Sequence, residues 1–91
     1  MYPAEVEAAL DAHPAVRSSA VFGLPDDDLG ERVHAVVDVA DHHVTPDALL
    51  THVSDRLVRY KVPRTIEVVH EPLRDDAGKL RRSALRAARL S

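Results

Sequence analysis

The residues best equipped for chemistry lie near the end of the chain, in the run Asp75-Asp76-Ala77-Gly78-Lys79-Leu80-Arg81-Arg82. The chain has ten arginines but only two lysines, Lys61 and Lys79. Arginine presents a planar fork. Lysine presents a compact ammonium on a flexible stem, able to reach into a neighbouring site and touch two oxygens as a point charge. Gly78, just before Lys79, permits unusual backbone angles and a close approach to a ligand. The run is not a Gly-x-x-x-x-Gly-Lys-Ser/Thr phosphate loop, because Leu73 stands at the first glycine position and Leu80 follows the lysine. Local chemistry therefore leaves two readings of Lys79 open, a ligand-directed ammonium or a solvated surface residue.

Other chemistry-bearing residues favour plainer readings. Of the six histidines, His42 and His43 are adjacent in a loop, His13, His34, His52 and His70 are scattered, and no His-x-x-x-His pair falls on a helix. That spacing predicts surface or half-buried histidines and no metal site. Ser18, Ser19, Ser54 and Ser83 lack a nucleophile signature such as Gly-x-Ser-x-Gly. The absence of cysteine excludes disulfides, cysteine-based zinc sites and a cysteine nucleophile. Asp26-Asp27-Asp28 has neither the alternating ligands nor the distal Glu of a calcium loop, and reads as a solvated turn. Arg81, Arg82, Arg86 and Arg89 could contact phosphates. With only three aromatic residues and no helix-turn-helix, RRM or KH pattern, a solvated helix face is the expectation and nucleic acid is not an expected partner.

Ninety-one residues make one small domain, large enough to bury roughly 60–65% of its unfolded surface. A hydrophobic content of 45% with 30% charged residues is that of a globular chain rather than a disordered one. The apolar runs fall far short of the roughly 18 residues that cross a bilayer. No basic segment leads into an apolar core at Met1-Tyr2-Pro3, so no signal peptide and no membrane association are expected, and the cytoplasm is the default location. The net charge of −3 divides unevenly, with −7 over residues 1–71 and +4 over residues 72–91. A basic tail on an acidic body suits a phosphate-bearing ligand, an acidic partner or water.

Six elements must position these residues. Tyr2 to His13 reads as a helix with Pro3 in its first turn, Glu5 and Glu7 at the positive end of its dipole, and Val6, Ala9, Leu10 and His13 on one face. Ser18 to Pro25 reads as a short strand ended by Gly23 and Pro25, followed by a polar turn. From Arg32 to Ala40 the chain alternates, with Val33, Ala35, Val37 and Val39 on one face and His34 and Asp38 on the other. His42 to Tyr60 reads as the clearest helix, with Thr45 as N-cap, Pro46 at the first helical position, and a stripe of Leu49, Leu50, Val53 and Leu57. Thr65 to His70 is a third strand. Residues 80–89 form a last helix, with Leu80, Ala84, Leu85 and Ala88 inward and Arg81, Arg82, Arg86 and Arg89 largely outward. The order α-β-β-α-β-α predicts an α+β domain of two layers, a three-stranded mixed sheet packed with helices, its first two strands antiparallel.

Taken in order, Tyr2-Pro3-Ala4-Glu5-Val6-Glu7-Ala8-Ala9-Leu10 with His13-Pro14-Ala15-Val16, then Ala20 through Val37, then Tyr60-Lys61-Val62-Pro63, then Ala77-Gly78-Lys79-Leu80-Arg81-Arg82 resemble the C-terminal domain of the adenylate-forming enzymes. These are the acyl-CoA synthetases, the adenylation domains of peptide synthetases and the luciferases. The resemblance covers essentially the whole chain at the family's spacings. It implies a mobile lid over residues 1–91 for a large N-terminal adenylation domain. The intact enzyme would use ATP with Mg to turn a small-molecule carboxylic acid into an acyl-adenylate and pyrophosphate, then pass the acyl group to coenzyme A. Alternating caps suit the need to exclude water from a labile adenylate and then admit a new nucleophile. The resemblance implies that Lys79 is the catalytic lysine of adenylation and that Gly78 is the glycine before it. It further implies that Gly30-Glu31 is a turn near the substrate, and that Lys61 lies in a mainly structural corner near phosphate.

The same resemblance leaves another acceptor in view, a carrier-protein phosphopantetheine thiol in place of coenzyme A, and the residues alone leave a non-enzymatic reading, a small α+β module whose basic tail docks a partner or nucleic acid. It also exposes departures. The family precedes Gly-Lys with Leu-Pro-x-Thr-x-Ser/Thr, whereas here Pro72-Leu73-Arg74-Asp75-Asp76-Ala77 carries no hydroxyl, and the acidic pair is expected to neutralise Lys79 in part. Leu29 replaces the aromatic residue common before Gly30. The phosphate-loop, adenine and magnesium motifs and the hinge are expected in the large domain, so these residues read as an excised domain or a free-standing partner subunit, with no adenylation and no tightly bound cofactor of its own.

Overall fold

Prolines open the first two helices of the computed structural model, which describes residues 2–90. Pro3 starts α1 (Pro3–Asp11) and Pro46 starts α2 (Pro46–Ser54), where the missing proline N–H is one that a helix leaves unbonded anyway. Thr45 caps α2 by accepting the Ala48 N–H at 3.2 Å. The strands are β1 (Val16–Asp26), β2 (Gly30–Val39) and β3 (Thr65–Val69). They lie in the order β1-β2-β3, with β1 antiparallel and β3 parallel to β2. The chain closes with α3 (Arg82–Leu90). Among the described residues no helix is long and apolar enough to cross a membrane.

The mixed α+β order is the one expected, but both faces of the sheet are covered, so the two expected layers become three. Alternation along the strands divides the core. On one face Val21, Ala35, Val37 and Val39 pack against Val6 and Leu10 of α1 and Leu49 and Val53 of α2. On the other, Ala20, Phe22, Leu24 and Val36 pack against Leu73, with Leu80 and Leu85 alongside. A central strand covered on both faces is buried in both directions, and every residue of β2 from His34 to Val39 is buried, the two polar ones with partners: His34 on Thr65 and Glu67, Asp38 on Arg17.

Three boundaries depart from the sequence expectation. Strand β1 continues through Gly23 and Pro25, pairing Pro25 with Glu31. It is an edge strand, and Pro25 falls on the same side as Val21, whose N–H points away from β2 toward Glu7, so the missing donor breaks no ladder bond. Helix α2 stops at Ser54 and is followed by a 3-10 turn at Arg59–Lys61. The chain must run back along the sheet before β3 can lie parallel to β2.

Helix α3 starts at Arg82 rather than Leu80, and its inward face differs from the one expected. Leu80 bridges back to Arg74, Ala84 and Ala88 are exposed, and the sheet-facing stripe is Arg82, Leu85, Arg86 and Arg89. These positions keep helical i, i+3, i+4, i+7 spacing, but arginine occupies three of them because carboxylates and a free carbonyl await on the body. Arg89 forms a two-pronged pair with Glu67 at 2.8 and 2.7 Å, and Arg86 donates to the Gly23 carbonyl at 2.8 Å. Arg82 pairs through Nε (2.7 Å) and Nη2 with the buried carboxylate of Glu7.

Glu7 joins three elements. It lies on α1, accepts the edge N–H of Val21 at 2.8 Å and receives Arg82 from α3. Ser19 adds a second tie between β1 and α1, donating to Asp11 Oδ1 at 2.8 Å. Glu7→Ala strands a buried N–H and a charged partner. It is expected to lower the unfolding free energy by about 2–3 kcal/mol, while Glu5→Ala, which breaks only the exposed pair with Lys61, barely moves the midpoint. Urea titration of the two variants compares them, and equal effects would contradict this role for Glu7.

Candidate functional site

Lys79 stands at the end of a closed loop. Leu73 is buried against the sheet and Leu80 half-buried beside it, so both stems of the loop are anchored by apolar contact. Arg74 and Leu80 form an antiparallel bridge. Inside it the Asp75 N–H donates to the Lys79 carbonyl at 3.0 Å and the Gly78 N–H to the Asp75 carbonyl at 2.8 Å. Gly78 has φ +79°, in the left-handed region that a side chain disfavours. Asp75 Oδ1 accepts the N–H groups of Ala77 (3.0 Å) and Lys79 (2.9 Å), and its Oδ2 accepts Arg81 Nε at 3.1 Å. Arg74 Nη1 donates to the Gly78 carbonyl at 2.9 Å. The Lys79 N–H, then Arg81, hold the Asp75 carboxyl below the usual aspartate range.

Asp75 is thus engaged by backbone N–H groups and by Arg81, and makes no ion pair with the Lys79 ammonium. Arg74, Arg81, Arg82, Arg86 and Arg89 all have partners. The Lys79 ammonium has none among the described residues.

The other candidate residues lie elsewhere. Gly30, at φ +77°, closes the β1–β2 hairpin, where Asp26 Oδ1 accepts the Asp28 and Leu29 N–H groups at 2.9 Å each. Those bonds, Leu29 first, hold the Asp26 carboxyl low. The acidic triple is therefore a turn organised by its first member. Glu31 lies across Gly23 so closely that a Cβ there would sit 2.3 Å from its carboxylate. Glu31 and Lys61 share a cleft of about 230 Å³ with Tyr2, Val6, Arg32, Val33 and Tyr60. Gly78 and Lys79 do not line it. Lys61 bonds both oxygens of Glu5, at 2.9 and 3.1 Å, and lies 4.6 Å from the Tyr2 ring centre and 5.7 Å from that of Tyr60. The Glu5 contact raises its pKa. In this structure Lys61 pins the 59–61 turn to α1.

Five of the histidines pack, and the exposed His43 pairs with Asp41 at 3.1 Å. His52 Nε2 meets the Ala9 carbonyl at 2.7 Å and stands edge-on to His13 at 4.9 Å. His34 sits between Thr65 Oγ1 (2.6 Å) and Glu67 (3.2 Å), and His70 meets the Val39 carbonyl at 2.8 Å while stacking on His42. Burial lowers the pKa of both His13 and His34. Among the described residues no three His, Asp or Glu side chains converge as a metal site.

Sequence reasoning missed Asp75, Glu7 and Arg82 as organisers. Asp75 carried a signal, since Asp at the first and Gly at the fourth position, as in Asp75-Asp76-Ala77-Gly78, favours a type I turn. Glu7 and Arg82 carried none, because their pairing spans 75 residues.

Comparison with known proteins identifies the family. The model of the AMP-binding enzyme C-terminal domain matches residues 5–79. A 3-oxocholest-4-en-26-oate–CoA ligase of Rhodococcus rhodochrous is 49% identical over 80 residues, 87% of this chain and 14% of that protein. A probable 2-succinylbenzoate–CoA ligase of Mycobacterium tuberculosis is 48% identical over 85 residues, 91% of this chain and 22% of that protein. A solved Mycobacterium tuberculosis fatty acyl CoA synthetase superposes with a TM-score of 0.86 at 33% identity, over 96% of this chain and 17% of that one. The chain belongs to the AMP-binding enzyme C-terminal domain family, and it spans less than a quarter of the length of these relatives.

The depressed pKa values of Asp26 and Asp75 set the pH response of both loops. A carboxyl whose folded pKa is depressed contributes order that is complete above its ordinary pKa and is lost as pH falls through the folded value. In an NMR titration the Leu29 and Lys79 amides are expected to stay at their neutral-pH shifts through the ordinary aspartate range and to move only below it. Midpoints at the ordinary aspartate pKa would contradict the two clamps.

Proposed function

We propose that this domain is the mobile C-terminal lid of an ATP-dependent carboxylate–CoA ligase, acting in the cytoplasm, with Lys79 as its catalytic ammonium. The single observation that carries the reading is the contrast along residues 74–89. Three arginines there are tied to the body of the domain and two, Arg74 and Arg81, to the loop itself, while the one lysine has no partner among the described residues and keeps its charge for something outside. The named CoA ligases among its relatives point to the same chemistry.

In the proposed reaction, a large N-terminal domain binds the acid and Mg-ATP. A carboxylate oxygen attacks the α-phosphorus, the bond to the β-phosphate oxygen breaks, and the electron pair leaves with pyrophosphate. Negative charge crowds at the joining oxygens. The Lys79 ammonium donates to the incoming carboxylate and to an α-phosphate oxygen, offsetting that charge where water is excluded. A long, rotatable ammonium suits this task, because the two oxygens draw together as the bond forms. The domain then turns away, and the coenzyme A thiol displaces AMP at the carbonyl carbon. Lys79 has no part in that second step.

In the intact chain, Lys79→Ala is expected to slow acyl-adenylate formation, followed by ATP–pyrophosphate exchange, by about 10²–10³. Thioester formation from supplied acyl-adenylate should keep its rate. An equal fall in both half-reactions, or no fall in the first, would overturn the assignment.

A further inference from the structure

We infer that Asp75 is the positioning residue of Lys79, a single carboxylate that both fixes the loop and withdraws the neighbouring arginine from the site. This rests on the reading of Lys79 as the adenylation lysine.

Gly78 must be glycine for its φ of +79° rather than for space, since nothing lies within 4 Å of where a Cβ would stand. A glycine in open space is the most freely rotating link in a chain, and it stands immediately before the lysine whose position matters most. Something must stop it. Leu73 and Leu80 hold the stems, which leaves residues 74–79 to be ordered from within. Asp75 does so through Oδ1, which takes the N–H on each side of Gly78, from Ala77 at 3.0 Å and Lys79 at 2.9 Å. One oxygen thus holds the peptide unit after Gly78 and the one before Ala77, and the unit between them is held by the Gly78 N–H on the Asp75 carbonyl at 2.8 Å.

The second oxygen has a different task. Arg81 is two residues beyond Lys79, and its guanidinium is a forked cation that would bind a phosphate well. Asp75 Oδ2 accepts its Nε at 3.1 Å and holds it back on the loop. A threonine, which the family pattern places at this position, has one side-chain oxygen and no charge. It could accept from the backbone but could not neutralise Arg81. The aspartate lets one residue hold Lys79 forward and Arg81 back. The Lys79 N–H, the largest cause, holds the Asp75 carboxyl below the ordinary aspartate range, so the clamp persists to more acidic pH than an unassisted aspartate would allow.

The test uses the intact chain with Asp75→Ala, Asp75→Asn and Asp75→Thr, and with Lys79→Ala in parallel. A displaced reacting group costs about 10–100-fold in rate. Asp75→Ala is therefore expected to lower kcat for adenylation by that factor with KM for ATP and acid little changed, and to leave thioester formation from supplied acyl-adenylate intact. Asp75→Thr and Asp75→Asn each keep an acceptor oxygen for the loop amides but no charge to hold Arg81, so both should fall between Asp75→Ala and the unchanged chain, and they serve if the alanine variant does not fold. Hydrogen-exchange mass spectrometry should show faster exchange over residues 73–82 in the alanine variant. Normal adenylation in Asp75→Ala and Asp75→Asn beside an inactive Lys79→Ala would overturn this inference alone. Equal loss in both half-reactions would also overturn it, by making Asp75 merely structural. An active Lys79→Ala would instead sink the reading of Lys79 on which it rests.

Discussion

The carboxylate of Glu7 ties the beginning of the chain to its end. It takes the outward N–H of Val21 on the open edge of the sheet and pairs with Arg82, 75 residues later. A strand edge presents unpaired N–H groups that must find partners in protein or water, and here one acidic side chain supplies the partner and recruits α3. The third layer depends on this contact. Helix α3 has no fully buried residue, so apolar burial alone does not seat it, and directional charged bonds from Arg82, Arg86 and Arg89 complete the attachment.

Arginine and lysine are accordingly divided by task. Arginine's planar fork reads a fixed carboxylate, as Arg89 does on Glu67 and Arg82 on Glu7. The two lysines serve where a point charge on a long stem is wanted. Lys61 lies by two aromatic rings and reaches Glu5, and Lys79 extends from a loop whose backbone is hydrogen-bonded to Asp75. Position is thus set by the loop and reach by the side chain, the combination that the proposed adenylation chemistry needs.

Much of this was legible in the sequence because it is local. Pro3, Pro46 and Thr45 mark helix starts by stereochemistry alone, and the alternation from Val33 to Val39 gives the central strand. The collinear motifs from Tyr2 to Arg82 resemble a family that the comparisons then identify. What was not legible depended on tertiary partners. Ala84 and Ala88 read as inward by hydrophobicity, but the sheet offers Glu67 and the Gly23 carbonyl where α3 lands, so Arg86 and Arg89 turn inward instead. Pro25 reads as a strand stop and is not one, because only the finished sheet makes β1 an edge. Asp75 read as a departure from a hydroxyl-bearing pattern, and the structure shows that its oxygen meets the loop N–H groups as an acceptor.

The proposed role of Lys79 is to present its ammonium, from a hydrogen-bonded loop, to an acid and a phosphate supplied by another domain. The most direct measurement is a crystal structure of the intact chain bound to a non-hydrolysable acyl-adenylate analogue. The Lys79 ammonium is expected within about 3 Å of both the carboxyl-derived oxygen and an α-phosphate oxygen, with the loop from Arg74 to Leu80 unchanged. A Lys79 side chain directed into solvent in that complex, with Arg81 or Lys61 on the phosphate instead, would contradict it.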